Sequence, residues 1–383
     1  TFTGPGGLNQ TVPLNASGQA CLTTTSLATG TVTATYNGAP CFTGSTGTAT
    51  ATVNPASTTT TVSLTPNPSV CGQSVTVCAT VTTNAPGSGT PTGTVTFTGP
   101  GGLNQTVPLN ASGQACLTTT SLATGTITAT YNGAPCFTGS TGTATATVNE
   151  AATTTTVTAT PNPSVCGQSV TVCATVTTNA PGSGTPTGTV TFTGPGGLNV
   201  TVPLNAAGQA CLSSTSLASG TITATYNGEG PCFAASAGSV TLVVNPAATA
   251  TTVTATPNPS VCGQSVTLCA TVTANAPGSG TPTGSVTFTA PGGLNVTVPL
   301  NAAGQACFSS TSLITGTVTA VYNGSSCFLP STGAASLTVN PAASTTTVTA
   351  TPATSVCGQS VTLCATVTIT PPGSGTPTGT VTF

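Results

Sequence analysis

Val75-Thr76-Val77-Cys78-Ala79-Thr80-Val81-Thr82 sets Val, Val, Ala and Val on one side of the chain and Thr, Cys, Thr and Thr on the other. A period of two built from β-branched residues is the pattern of a strand that buries one face. The alternation returns at Thr94-Val95-Thr96-Phe97-Thr98, at Thr126-Ile127-Thr128-Ala129-Thr130-Tyr131 and at Thr143-Ala144-Thr145-Ala146-Thr147-Val148. Turn formers separate these runs: Pro66-Asn67-Pro68, Asn84-Ala85-Pro86-Gly87-Ser88-Gly89-Thr90-Pro91, Gly99-Pro100-Gly101-Gly102, Asn110-Ala111-Ser112-Gly113, Ala123-Thr124-Gly125 and Asn132-Gly133. No stretch has helical spacing, so the expectation is an all-β chain.

Working outward, the same text is repeated. Cys71, Cys78, Cys116 and Cys136 recur as Cys166, Cys173, Cys211 and Cys232, then as Cys262, Cys269, Cys307 and Cys327. Cys21, Cys41, Cys357 and Cys364 fill the same slots at the ends. From Cys71 through Cys166 and Cys262 to Cys357 the offsets are 95, 96 and 95. The extra residue enters where Asn227-Gly228-Glu229-Gly230-Pro231-Cys232 replaces Asn132-Gly133-Ala134-Pro135-Cys136. Repeats of this length exceed the usual solenoid unit of ~20 to 50 residues and are large enough to close a core each. About seven short strands per repeat, with a turn every ~8 to 12 residues, predict immunoglobulin-like β-sandwiches arranged head to tail, two sheets facing each other across ~10 Å. The expected domains are a partial one at 1–54 (strands C to G), whole ones at 55–149, 150–245 and 246–340, and a partial one at 341–383 (strand A to the start of C). Thr1-Phe2-Thr3 matches Thr96-Phe97-Thr98, and Val381-Thr382-Phe383 matches Val95-Thr96-Phe97. The two ends therefore meet in phase. The preferred reading is a stretch of a longer array; the other is completion of residues 1–54 by the last 42 or so residues of a neighbouring chain, as in strand complementation.

Composition excludes most chemistry. The chain has no Lys, Arg or His and only two acidic residues, Glu150 and Glu229, for a net charge of −2. General acid–base and nucleophilic catalysis rely on His, paired carboxylates, Lys or an activated thiolate, and none can be assembled, so an enzyme is not expected. Without cations there is nothing to neutralise phosphate, which argues against nucleic acid as a partner. No apolar run approaches the ~18 residues of a membrane span. Zinc is not expected, because Cys71 and Cys78 lack knuckle spacing and no His is present. Calcium wants several oxygens including carboxylates, and two isolated Glu read as solvated side chains. No cofactor is expected.

Gly72-Gln73-Ser74-Val75-Thr76, Gly89-Thr90-Pro91-Thr92-Gly93-Thr94-Val95-Thr96-Phe97, Ile127-Thr128-Ala129-Thr130-Tyr131-Asn132-Gly133 and Thr147-Val148-Asn149 resemble the Ig-like repeat domains found in tandem in large bacterial surface proteins. The resemblance covers essentially the whole chain. It implies the fold and, since such domains serve as spacers, stalks and adhesin arms alike, no catalytic residue. Four Cys per repeat and near-absence of charge depart from the usual pattern.

The strand letters that the resemblance supplies imply a pairing. Cys78 and Cys116 fall on outward positions of neighbouring strands B and E, giving cross-strand bonds Cys78–Cys116, Cys173–Cys211 and Cys269–Cys307 within domains. Cys71, at the A–B corner, and Cys136, in the F–G loop, lie at opposite poles, one strand length of ~25 to 30 Å apart. That exceeds the ~7 Å limit of a disulfide. Facing poles of successive domains would instead join Cys71 to Cys232 and Cys166 to Cys327, with Cys41 and Cys357 bonded beyond these residues. The alternative keeps all pairs within a domain, Cys116 with Cys136 and Cys71 with Cys78.

Sequons at Asn9, Asn15, Asn104, Asn110, Asn199, Asn295 and Asn323 are N-glycan acceptors in a suitable host. Outward Thr rows such as Thr143, Thr145 and Thr147 suit strands and also suit binding to glycans or ice. Uncharged edge strands favour association with copies of self, including lateral bundling. Short Pro-containing linkers such as Val53-Asn54-Pro55-Ala56 restrict freedom between domains. The expected function is a structural component of an extracellular filament or stalk, stiffened by disulfides, with a repeat near ~40 Å; the alternatives are an adhesin stalk and a glycan- or ice-binding array.

Overall fold

The alternation at Val75 becomes strand B of the first whole module, Val75–Thr83, with Val75, Val77, Ala79 and Val81 buried and the intervening residues outside. The structure is a computed structural model that describes residues 1–383. The chain forms two compact units. One comprises Thr1–Thr153, Thr178–Gly184 and Glu229–Ala234, the other Thr154–Thr177, Thr185–Gly228 and Ala235–Phe383.

In the first unit, strand B lies between strand A (Thr58–Thr65) and strand E (Gln114–Thr119) in an antiparallel sheet. The facing sheet has the order G (Ser140–Ala146), F (Gly125–Tyr131), C (Thr94–Gly99), C′ (Leu103–Pro108). Ser69–Val70, the continuation of strand A, pairs in parallel with Val148–Asn149, so the first strand ends on the opposite sheet from the one it starts on. Phe97, Ile127, Ala129 and Tyr131 of the second sheet pack against the strand B valines in one buried cluster. Strands A and G approach closely: a Cβ on Gly142 would collide with the Thr60 carbonyl oxygen, which requires glycine there. The flanking seam is polar and satisfied, with Thr60 Oγ1 2.7 Å from Ser140 Oγ.

Tyr131 extends this logic to solution behaviour. Its hydroxyl donates to the Thr92 carbonyl at 2.6 Å, and burial raises its pKa above the usual 10.0. A group whose folded pKa is raised contributes stability that is complete below the unfolded pKa and is lost as pH climbs through the folded value. With no His and only two carboxylates in the chain, the melting temperature should hold level from about pH 5 to about pH 9 and fall above about pH 10. Thermal melts across that range check it; a steep loss between neutral pH and pH 5 would contradict it.

The second unit repeats the architecture twice. The three-stranded sheets pair Thr153–Thr160, Val170–Thr178 and Gln209–Ser214, then Thr249–Thr256, Val266–Ala274 and Gln305–Ser310. The four-stranded sheets have the same G-F-C-C′ order, and a short 3-10 turn, Pro195–Gly197, joins C to C′ in one of them. Phe288, Val286, Val318, Ala320 and Tyr322 occupy the third core as their equivalents do the first. No helix is long and apolar enough to cross a membrane.

The partial modules show what a strand needs besides its sequence. Residues 1–54 form strands C, C′, F and G at Phe2–Gly4, Leu8–Gln10, Gly30–Tyr36 and Ser45–Ala51. Gln19–Thr24 matches strand E yet is not a strand, which corrects the expectation of strands C to G. Strand E hydrogen-bonds only to strand B, and residues 1–54 contain no strand B. At the other end Ser344–Thr351 and Thr362–Ile369 pair as A and B, whereas Ser355-Val356 and Thr380–Phe383, which match Ser69-Val70 and Thr94–Phe97, stay unpaired. Backbone ladders form where both partners are present and not otherwise.

Candidate functional site at the module junctions

The turn after Val70 is made by Cys71 and Gly72, whose positive φ of 73° lets the chain reverse into strand B. In the first unit this corner meets the loops 178–184 and 229–234. Cys71 is joined to Cys232 with a Cα separation of 5.2 Å. Ser183 Oγ donates to the Gly72 carbonyl at 2.6 Å, and Ser183 N donates to the Cys71 carbonyl at 3.4 Å. The linker residue Ala151 is fully buried beneath them: its N–H donates to the Cys232 carbonyl at 2.8 Å and its carbonyl accepts from Ala234 N at 3.0 Å.

The second unit contains the same device one repeat on. Cys166 is joined to Cys327 with Cα atoms 5.6 Å apart, Ser279 Oγ donates to the Gly167 carbonyl at 2.5 Å, and Ala247 takes the place of Ala151. A third corner has only half of it. Ser374 Oγ donates to the Gly263 carbonyl and Ser374 N to the Cys262 carbonyl, while Cys262 carries a free, exposed thiol.

Within modules, Cys78 lies directly opposite Cys116 on strands B and E, Cys173 opposite Cys211 and Cys269 opposite Cys307. Each pair is bonded, with Cα separations of 4.1, 4.1 and 4.2 Å. The alternative pairs, Cys116 with Cys136 and Cys71 with Cys78, are not formed. Cys41 and Cys357 are unpaired, as are Cys21, Cys136, Cys262 and Cys364.

Of the sequon residues, Asn104, Asn199 and Asn295 are exposed on strand C′, and Asn9 is exposed on the matching strand. Asn15 and Asn110 have a second duty. The Asn110 Oδ1 accepts from Ser112 N and Gln114 N at 2.9 and 3.0 Å, and Asn205 and Asn301 hold the same turn with no sequon. Asn323 Nδ2 donates to Ser285 Oγ and Thr287 Oγ1, the bonds that Asn132 and Asn227 make to their own equivalents. The fold accounts for asparagine at these last positions. Glu150 and Glu229 are exposed, on a linker and in an F–G loop.

Sequence reasoning missed the seryl clamps. Their signal was present: Pro-Gly-Ser-Gly recurs unchanged at 86–89, 181–184, 277–280 and 372–375 while neighbouring loops drift. The glycine that each clamp reaches is equally constrained. A Cβ on Gly167, at φ +76°, would collide with the Ser279 carbonyl oxygen. Gly167→Ala should therefore lose the clamp and cost about 1–2 kcal/mol from the left-handed backbone alone. After mild reduction, alkylation of Cys166 and Cys327 should proceed faster in this variant than in the parent; equal rates would refute the argument.

Sandwiches in series, tied from the corner of one to a loop of the next, define a tandem Ig-like repeat protein. The chain belongs to the bacterial Ig-like domain (group 3) family, whose model matches residues 56–149, 157–245 and 253–340. No curated protein matches it. Similar solved structures include a tetra-tandem repeat from the extending region of a large adhesion protein, 20% identical over 88% of this chain and 90% of that one with a TM-score of 0.38. The bacterial integrin-binding protein invasin is 17% identical over 76% of this chain and 61% of its own, also at a TM-score of 0.38. The Escherichia coli adhesin FdeC is 16% identical over 73% and 96%, at 0.25. Five disulfides in modules of this family suit an extracellular or surface location, where thiols stay oxidised.

Proposed function

We propose that the chain is a passive structural spacer, a stalk or filament in which successive Ig-like modules are covalently interlocked. The observation that carries this reading is the pair of bonds Cys71–Cys232 and Cys166–Cys327, each spanning 161 residues and each joining a corner of one repeat to a loop of the next. A hinge between such modules would have to stretch a disulfide, break a seryl clamp and expose a buried linker alanine together. Composition supports the same reading, because a chain without Lys or Arg offers trypsin no site and one with two carboxylates offers little for catalysis. Uncharged strand edges favour packing of one spacer against another.

Small-angle scattering on the purified chain, before and after reduction, tests stiffness directly. Oxidised material should give a long, narrow-distributed maximum dimension, and reduction of the junction bonds should broaden that distribution while far-UV circular dichroism stays unchanged. An identical scattering profile in both states would remove the disulfide interlock from the account.

A further inference from the structure

Strand C′ is an open edge of each four-stranded sheet: it pairs with strand C on one side and with no strand on the other. In the three whole modules it spans Leu103–Pro108, Leu198–Pro203 and Leu294–Pro299. Leu103 and Val107 turn inward against the core, so Asn104 and Thr106, in the opposite phase, face outward and are exposed. Asn199 with Thr201 and Asn295 with Thr297 hold the same places and are exposed too. Native sheet edges are commonly guarded by charged side chains. This chain has no Lys or Arg, and neither of its two Glu lies on C′.

The fold gives no reason for asparagine at this place. Asn is disfavoured in strands, and other outward positions of the same sheet carry Thr, as at Thr96, Thr98, Thr128 and Thr143. The side chains of Asn104, Asn199 and Asn295 make no hydrogen bond. Asn110 Oδ1, by contrast, accepts from two backbone N–H groups, and Asn323 Nδ2 donates to Ser285 and Thr287. The differences between modules point the same way. The residue between Asn and Thr is Gln105, Val200 or Val296, and a sequon accepts any residue but Pro there. At the Asn110 turn it is the hydroxyl that goes: Ala207 and Ala303 replace Ser112, while Asn205 and Asn301 keep the turn. On C′ the asparagine and the hydroxyl stay together although only the hydroxyl has a partner, Thr106 Oγ1 lying 3.0 Å from Thr96 Oγ1.

We infer that Asn104, Asn199 and Asn295 are acceptors of N-linked sugar, one on the open edge of each whole module, and that the sugar guards that edge in place of charge. In the transfer, Nδ2 of the asparagine bonds to the anomeric carbon of a hexose carried on a diphosphate. The anomeric C–O bond to the diphosphate breaks, its electron pair leaves with the diphosphate, and the amide nitrogen gives one proton to the transferase. A hydrated sugar on C′ stands beside the unpaired N–H and C=O groups of that strand and excludes an added strand. The inference goes beyond the spacer reading and is independent of the junction bonds: bare, the edge is open to packing of one spacer against another, and sugar closes it.

The test incubates the folded, oxidised chain with UDP-glucose and a soluble asparagine glycosyltransferase, one that modifies short peptides carrying each of these sequons. Chymotryptic and thermolytic peptide mapping should then find one hexose at each of Asn104, Asn199 and Asn295 and little at Asn110 and Asn323, whose side chains the fold holds. Bare asparagines on C′, or occupancy at Asn110 and Asn323 equal to theirs, would overturn the assignment. A second arm treats Asn104→Gln, Asn199→Gln, Asn295→Gln combined in the same way, three exposed positions whose amides hold nothing in place. In sedimentation the treated parent should stay as single chains at concentrations where the treated variant associates, and equal association would overturn the guarding role. Absence of a Cys71–Cys232 peptide in the same map would count against the spacer reading alone, so the two failures are distinguishable.

Discussion

Held by its two ends and pulled, the oxidised chain is expected to stop lengthening at well under half of the contour that the reduced chain reaches. Tension entering at Thr1 arrives at Cys71 and crosses to Cys232. It then runs back through the Cys211–Cys173 bond to Cys166, crosses to Cys327 and leaves at Phe383. This path omits about 225 residues, and at ~3.5 Å per extended residue their release on reduction amounts to roughly 80 nm. The omitted residues include strands B to G of the first whole module and most of the third, so these cores carry no load while the junction bonds persist. Single-molecule extension with and without a reductant measures the difference. Equal contour lengths in the two states would mean that the junction bonds do not form in the protein.

The fold was legible because both of its determinants are local. Period-two runs fix which side of each strand is buried, and Gly, Pro and Asn fix where strands end, so Val77, Phe97, Ile127 and Tyr131 are recognisable as core from their alternation alone. Placing cysteines on the two poles required more than alternation, namely the strand letters that a family resemblance supplies. What could not be read was dependence on a partner. Gln19–Thr24 has the same sequence as Gln114–Thr119 but no ladder, since strand propensity is weak beside the hydrogen bonds of a neighbour. The seryl clamps were hidden for a related reason: Ser183 reaches a carbonyl 111 residues away, and nothing in its own loop announces a distant acceptor.

Phe192→Ala should separate module stability from the integrity of the array. Phe192 is fully buried among Val190, Ile222, Ala224 and Tyr226, and truncating such a ring costs about 3–5 kcal/mol. A single domain is stable by only ~5–15 kcal/mol, so the second module should become the first to melt and calorimetry should resolve a new low-temperature transition. Phe42→Ala, at a ring that is mostly exposed, should change stability by less than about 0.5 kcal/mol. The two junction cysteines of the damaged module, Cys166 and Cys232, sit outside its core strands, in the A–B corner and the F–G loop. Their bonds to Cys327 and Cys71 do not depend on Phe192 once formed, so the oxidised variant should keep both cross-linked peptides above its new transition and regain its fold on cooling. Scission of either bond on melting, or a loss of stability under about 1 kcal/mol, would show that core and interlock are not arranged as two independent layers of strength.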